Sequence, residues 1–191
     1  MRRLRWLGLK WRAMALLVLG RREAALQAFR EMQGEFPHDA YPLASIAHLQ
    51  AQLGDRSGAI AMQQRLLAVA PDDGGHWFNF GYLLEADERW EEAEQAFRKA
   101  TALRPELDRA WYGLGLVLIR LKRYDEAVAA LKRNTQLQPM SPYGWYQLAR
   151  VHVDRHDPDE ALRIIRHLKR FEPKVAAQLE RETGILVPPA S

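Results

Sequence analysis

The sequence predicts an all-α solenoid of about five helix–turn–helix units closed by one further helix. Three observations carry that prediction. Five of the ten prolines (Pro37, Pro71, Pro105, Pro139 and Pro173) stand 34 residues apart. An alanine precedes each of them by twelve residues: Ala25, Ala59, Ala93, Ala127 and Ala161. Twelve residues further back there is always a small residue: Ala13, Ala47, Gly81, Gly115 and Ala149. Self-similarity at such a period marks stacked supersecondary units, none of which can bury its apolar face alone.

Further columns follow the same period. Leu9, Leu43, Trp77, Trp111 and Trp145 lie four residues before the small residue, and Arg12, Ile46, Phe80, Leu114 and Leu148 lie one before it. Phe29, Gln63, Phe97, Leu131 and Ile165 lie four after the alanine. The resulting W-x2-L-G…A-x3-F…P pattern resembles that of the tetratricopeptide repeat, a helix–turn–helix unit. Trp77, Phe80, Gly81, Leu84, Ala93, Phe97, Ala100 and Pro105 match it most fully. The resemblance spans about residues 6–173 and implies a right-handed solenoid. It places repeats at about 6–39, 40–73, 74–107, 108–141 and 142–173, in a single domain over 1–187.

Taken in order, the elements have physical reasons. Repeat one departs from the pattern at Arg12, as a terminal repeat does, yet Leu19-Gly20-Arg21-Arg22 aligns with Leu53-Gly54-Asp55-Arg56 of repeat two. In repeat four, a helix over Ala110–Lys122 puts Trp111, Leu114, Gly115 and Leu118 on one face. Gly115 then lets the second helix approach, Ala127 is its small partner, and Leu131 fills the space beyond. Pro139 stops the second helix. In repeat five, Ser141-Pro142 reads as an N-cap with proline at the first helical position. Asp157-Pro158-Asp159-Glu160 reads as a capping box. Pro173 is expected to end that repeat. Lys174–Thr183 is expected to form a capping helix closed by Gly184, ahead of a disordered tail at 188–191.

Composition narrows the function. The chain has 191 residues and no cysteine, which excludes disulfides, thiolate metal sites and cysteine nucleophiles. The net charge is +4, but residues 1–22 alone hold seven basic side chains and no acid, leaving −3 on the rest. That is a basic N-terminus on a mildly acidic body, so no nucleic-acid partner is expected. His152 and His156 have the i, i+4 spacing of zinc ligands but lack the intervening glutamate of H-E-x-x-H. His152 occupies a core column and reads as a packed residue. Gly74, Gly75 and Gly81 form no phosphate loop, and no serine sits in a nucleophile elbow. Asp125-Glu126 and Glu91-Glu92 read as solvated acids. No catalytic residue, metal or cofactor is expected, and the protein reads as a non-enzyme.

What remains is surface. At about 100° per residue, repeat positions 4, 7, 8 and 11 share one side of each first helix, and positions 2, 5, 9 and 12 lie roughly opposite. The family resemblance implies that the first helices line a concave groove. The second set is rich in rings where a solvated face would be polar. The expected partner-binding residues are Tyr41, His48, Phe78, Asn79, Tyr82, Arg109, Tyr112, Leu116, Tyr143, Tyr146 and Arg150. Aromatics with arginine at the margin have the composition of a binding hot spot. Some family members clamp a peptide's terminal carboxylate; of that pattern only Asn79 and Arg109 are present, while Ala44, His48 and Gly113 depart from it. The expected partner is a protein or peptide segment, apolar or aromatic, with an acid near Arg109 and Arg150.

Two alternatives remain. One is an accessory subunit of a membrane-associated or secretion complex, with membrane contact confined to the basic N-terminal helix. The other is self-association into a structural module. Met1–Gly20 resembles a signal peptide in its basic start and the apolar run Ala13–Leu19. Its repeat register and the lack of an A-x-A site favour a capping helix instead. A cytoplasmic location is expected, with a periplasmic or membrane-peripheral one as alternative.

Overall fold

A 34-residue sequence period requires a 34-residue backbone period, and the turns show it most directly. In the computed structural model, which describes residues 1–188, Gly20, Gly54, Glu88, Lys122 and His156 all have positive φ, at 71°, 84°, 59°, 59° and 57°. Each ends the first helix of a repeat. At Gly20 the left-handed residue donates to the Leu17 carbonyl while Arg21 donates to that of Leu16, a Schellman closure. The Arg123–Leu118 and Asp157–His152 bonds repeat it.

Among the described residues the chain is all-α. It divides into two compact units, Met1–Glu88 and Arg89–Ser191. The first holds α1 (Arg2–Val18), α2 (Arg22–Glu35), α3 (Ala40–Gln52), α4 (Arg56–Val69) and α5 (Gly74–Ala86). The second holds α6 (Trp90–Leu103), α7 (Asp108–Arg120), α8 (Tyr124–Leu137), α9 (Pro142–Asp154), α10 (Pro158–Leu168) and α11 (Pro173–Thr183). Helices adjacent in sequence pack together within each unit. Of the expected disordered tail, only Pro188 lies within the described residues.

In the first unit, Ala13, Ala25, Phe29, Met32, Ile46 and Leu49 form a buried cluster, with Trp6, Leu9, Met14 and Tyr41 packed against it. In the second, Phe97, Leu118, Leu131, Leu148 and Ile165 are buried. The small columns do what close helix approach needs. A methyl group on Gly115 would stand 2.7 Å from the Leu131 side chain, and one on Gly113 would stand 2.6 Å from the Phe97 ring.

The prolines have a second task beyond stopping a helix. The indole N–H of Trp77 donates to the Pro71 carbonyl at 2.6 Å, that of Trp111 to Pro105 at 2.9 Å, and that of Trp145 to Pro139 at 2.8 Å. Tryptophan at this column therefore ties each of repeats three to five to the turn before it. Amides add a second tie: Gln63 donates to the His76 carbonyl and Asn134 to that of Asp108.

Several local expectations are corrected. α7 runs Asp108–Arg120, two residues earlier than expected at each end. Ser141 is the N-cap residue of α9, but its hydroxyl makes no capping bond. Only half of the expected capping box forms. Asp157 accepts from the Glu160 N–H, while the Glu160 carboxylate turns outward to Arg163. Pro173 does not stop α10, which already ends at Leu168; it opens α11. Gly184 closes α11 at φ 72°. Three of the four acids expected to be merely solvated are paired. Asp125 holds Arg155 at 2.7 Å, Glu92 holds Arg89, and Glu126 holds both Arg98 and Arg123. Glu94, nearly buried, closes a four-membered ring with those two arginines.

Candidate peptide-binding surface

In repeats two to five the second helix starts in one of two ways, whereas α2 opens at Arg21 with no side-chain cap. At Asp55 and Asp157 a carboxylate caps the helix and also accepts from a buried polar side chain five residues earlier. Gln50 donates to Asp55 at 2.7 Å, and the His152 ring nitrogen lies 3.1 Å from Asp157. At Arg89 and Arg123 the side chain instead forks onto Glu92 and Glu126, and the residue five earlier is the buried Leu84 or Leu118. His152 is thus a packed structural residue, 2% exposed. Its Nε2 and the Oε1 of Gln50 are buried without a hydrogen-bond partner. No group of three His, Asp or Glu side chains suited to a metal occurs among the described residues.

A shallow cleft of about 470 Å³ lies at the turn edge, lined by Lys122, Arg123, Tyr124, Asp125, Glu126 and Arg155. Its acids are the ones already paired with arginines. The unspent chemistry lies on the first helices instead.

None of the expected partner-binding residues is buried. They fall in both units. In the first, Tyr82 on α5 is 61% exposed, Phe78 is half-buried and Asn79 is exposed. On α3, exposed His48 shares a hydrogen bond with Gln52. Tyr41 is drawn into the α1–α3 cluster. Its ring lies 5.7 Å from Trp6 and 5.9 Å from Phe29, with the Lys10 ammonium 4.8 Å above it. Burial pushes the Tyr41 hydroxyl above its ordinary pKa.

In the second unit, α7 carries exposed Arg109 and half-buried Tyr112 and Leu116. α9, packed beside it, carries Tyr143 (70% exposed), half-buried Tyr146 and exposed Arg150. The Arg150 guanidinium lies 5.8 Å from the Tyr146 ring centre, within cation–π reach. The Tyr146 hydroxyl donates to Glu182 of α11 at 2.5 Å. That bond to a carboxylate, with burial second, raises the Tyr146 pKa. The Tyr146 hydroxyl, then the Gln178 amide, lowers that of Glu182.

Glu182 was not foreseen as part of this surface. It lies 36 residues from Tyr146, on a helix outside the repeat pattern, so no column pointed to it. Gly113 is also clarified. It departs from the carboxylate-clamp pattern because Phe97 occupies the space a side chain would need.

A family model describing the middle TPR-like domain of cilia and flagella-associated protein 70 matches residues 43–172. The chain belongs to the tetratricopeptide-repeat family. Solved structures agree on the fold. MamA from Desulfovibrio magneticus is 21% identical, with a TM-score of 0.79 over 93% of this chain and 96% of that one. A tetratricopeptide repeat protein from Parabacteroides merdae is 19% identical, with a TM-score of 0.82 over 94% and 73%. YrrB, described as a TPR protein with an unusual peptide-binding site, is 17% identical, with a TM-score of 0.79 over 88% of each chain. No curated protein matches the sequence.

Proposed function

We propose that the protein is a non-enzymatic interaction scaffold that grips a peptide or protein segment on the outer rings of α7 and α9. The tetratricopeptide fold is a protein-interaction fold, and a repeat array offers extended surface for that purpose. The observation that carries the finer reading is the state of Tyr112, Leu116, Tyr143 and Tyr146. All four keep water-accessible surface on neighbouring helices whose opposite faces already serve the core. Burying such rings against a partner, inside a margin of arginine, is how a few residues carry most of an interface's energy.

The contact between Tyr146 and Glu182 supports an acidic feature in the guest. A carboxylate of the chain itself already uses Tyr146 as donor beside Arg150. A guest carboxylate could compete for the same groups. YrrB, similar in fold, is a neighbour with a peptide-binding site, which is consistent with this use of the scaffold.

The test is quantitative capture by the full chain, wild type against Tyr112→Ala with Leu116→Ala. Neither side chain belongs to the buried core. Helicity and melting should stay near wild type while proteins captured by the wild type are lost. Undiminished capture by the double variant would place the partner elsewhere.

A further inference from the structure

Helix α1 packs through Trp6, Leu9, Ala13 and Met14. Its opposite side is unpartnered. Leu4, Trp11 and Val18 recur at i, i+7 and i+14 and are 73%, 67% and 84% exposed. Leu7, also exposed, lies on the same side, and Gly8 and Ala15 keep that side smooth. The stripe is about 21 Å long at 1.5 Å per residue. Helical arithmetic sets Arg3 along one edge and Arg5 and Arg12 along the other. Arg21 and Arg22 follow its far end.

A stripe of leucine and tryptophan between rows of arginine has two demands at once. The apolar side chains gain by leaving water, and the cations gain by meeting anions. Arg5 and Arg12 are held by Glu35 and Glu31 of α2. Arg3, Arg21 and Arg22 are exposed and have no acid within ion-pair distance among the described residues. A second copy of the chain meets the demands poorly. Face to face it would set arginine against arginine. The opposite end of the chain, with Lys169, Arg170, Lys174 and Arg181 against Glu172, Glu180 and Glu182, offers no net negative charge. An anionic lipid surface meets both. Tryptophan favours the headgroup level, basic side chains are drawn to acidic lipids, and amphipathic helices lie in that plane.

We infer that α1 is a membrane-surface dock, which seats the protein on anionic bilayers through Leu4, Leu7, Trp11 and Val18. The contact is superficial: among the described residues no helix is long and apolar enough to cross a membrane. It uses residues of the first unit only, whereas the rings of α7 and α9 belong to the second.

Vesicle co-sedimentation of the full chain tests this. Phosphatidylcholine vesicles containing phosphatidylglycerol are compared with phosphatidylcholine alone, at low and high salt. The wild type should bind the anionic vesicles, bind the neutral ones far less, and be released as salt shortens the reach of the charges. Leu4→Ser with Trp11→Ser should lower binding by at least about tenfold, since two apolar side chains leave the bilayer. Arg3→Glu with Arg22→Glu should lower it on anionic vesicles only. Circular dichroism verifies that each variant is folded. Equal binding of wild type and the Leu4/Trp11 variant would overturn the proposal, as would indifference to lipid charge. So would a wild-type dimer that the same two substitutions dissociate without any vesicle binding, which would give the stripe to a second copy.

Discussion

Lys122 sits where glycine sits in the two repeats before Glu88. Its φ of 59° puts the Cβ close to the carbonyl that follows, a cost of roughly 1–2 kcal/mol for a residue with a side chain. Gly54, at φ 84°, has nothing within 4 Å of the position a Cβ would take. Its requirement is therefore conformational and not steric crowding by neighbours. Lys122→Gly should raise stability by about 0.5–1 kcal/mol once the freer unfolded chain is counted. Gly54→Ala should lower it by about 1 kcal/mol. Thermal melts of the two variants should move in opposite directions, by about 2–4 °C per kcal/mol in a chain of this size. Asp55 makes a second prediction. The Gly58 N–H, then the Gln50 amide, holds its carboxyl below the ordinary pKa. A folded-state value below the unfolded one means the carboxylate stabilises the fold above about pH 4. That contribution is lost as pH falls through the depressed folded-state value. Asp55→Ala should cost about 1 kcal/mol at pH 7 through loss of the cap, and the gap to wild type should narrow in acid. A gap independent of pH in denaturant titrations would assign the cost to the methyl substitution alone.

Between helices, the small columns set how closely neighbours approach. Gly113 faces the Phe97 ring across the α6–α7 contact, and that ring is buried with no free side to swing into. Gly113→Ala should therefore destabilise by about 1–3 kcal/mol, read from the midpoint of urea unfolding. The same substitution at Gly8, which has open space, should not. This contrast bounds what the linear sequence discloses. The turn residues, the tryptophan column and the proline column share one period, so their elements could be placed by counting. Gly113 falls outside the recurring small column, and only the packed ring explains it. Gln50 with Asp55 and His152 with Asp157 were legible in principle. Both members of each pair leave their columns together, five residues apart, although one column alone suggested only a packed substitute. The idle Ser141 hydroxyl and the outward Glu160 were not legible, because a cap's residue type does not decide its rotamer. Glu182 was hidden for a different reason: α11 has no counterpart in the repeats, so periodicity says nothing about where its side chains reach.

At the scale of the molecule, most columns that recur at 34 residues are spent on turns, close approaches and indole ties. Left to the surface are the rings of α7 and α9, where Tyr112 and Tyr146 share one further column of that period, and the arginine-edged stripe of α1. The first set is read here as the grip on a guest polypeptide and the second as a seat on an anionic bilayer, and the two can be disabled independently. The most direct test of the grip is capture by the full chain, quantified by mass spectrometry, comparing wild type with Tyr112→Ala and Leu116→Ala together. The account predicts that the proteins enriched by the wild type fall to background with the variant while its melting curve is nearly unchanged. An identical set captured at wild-type levels would contradict it.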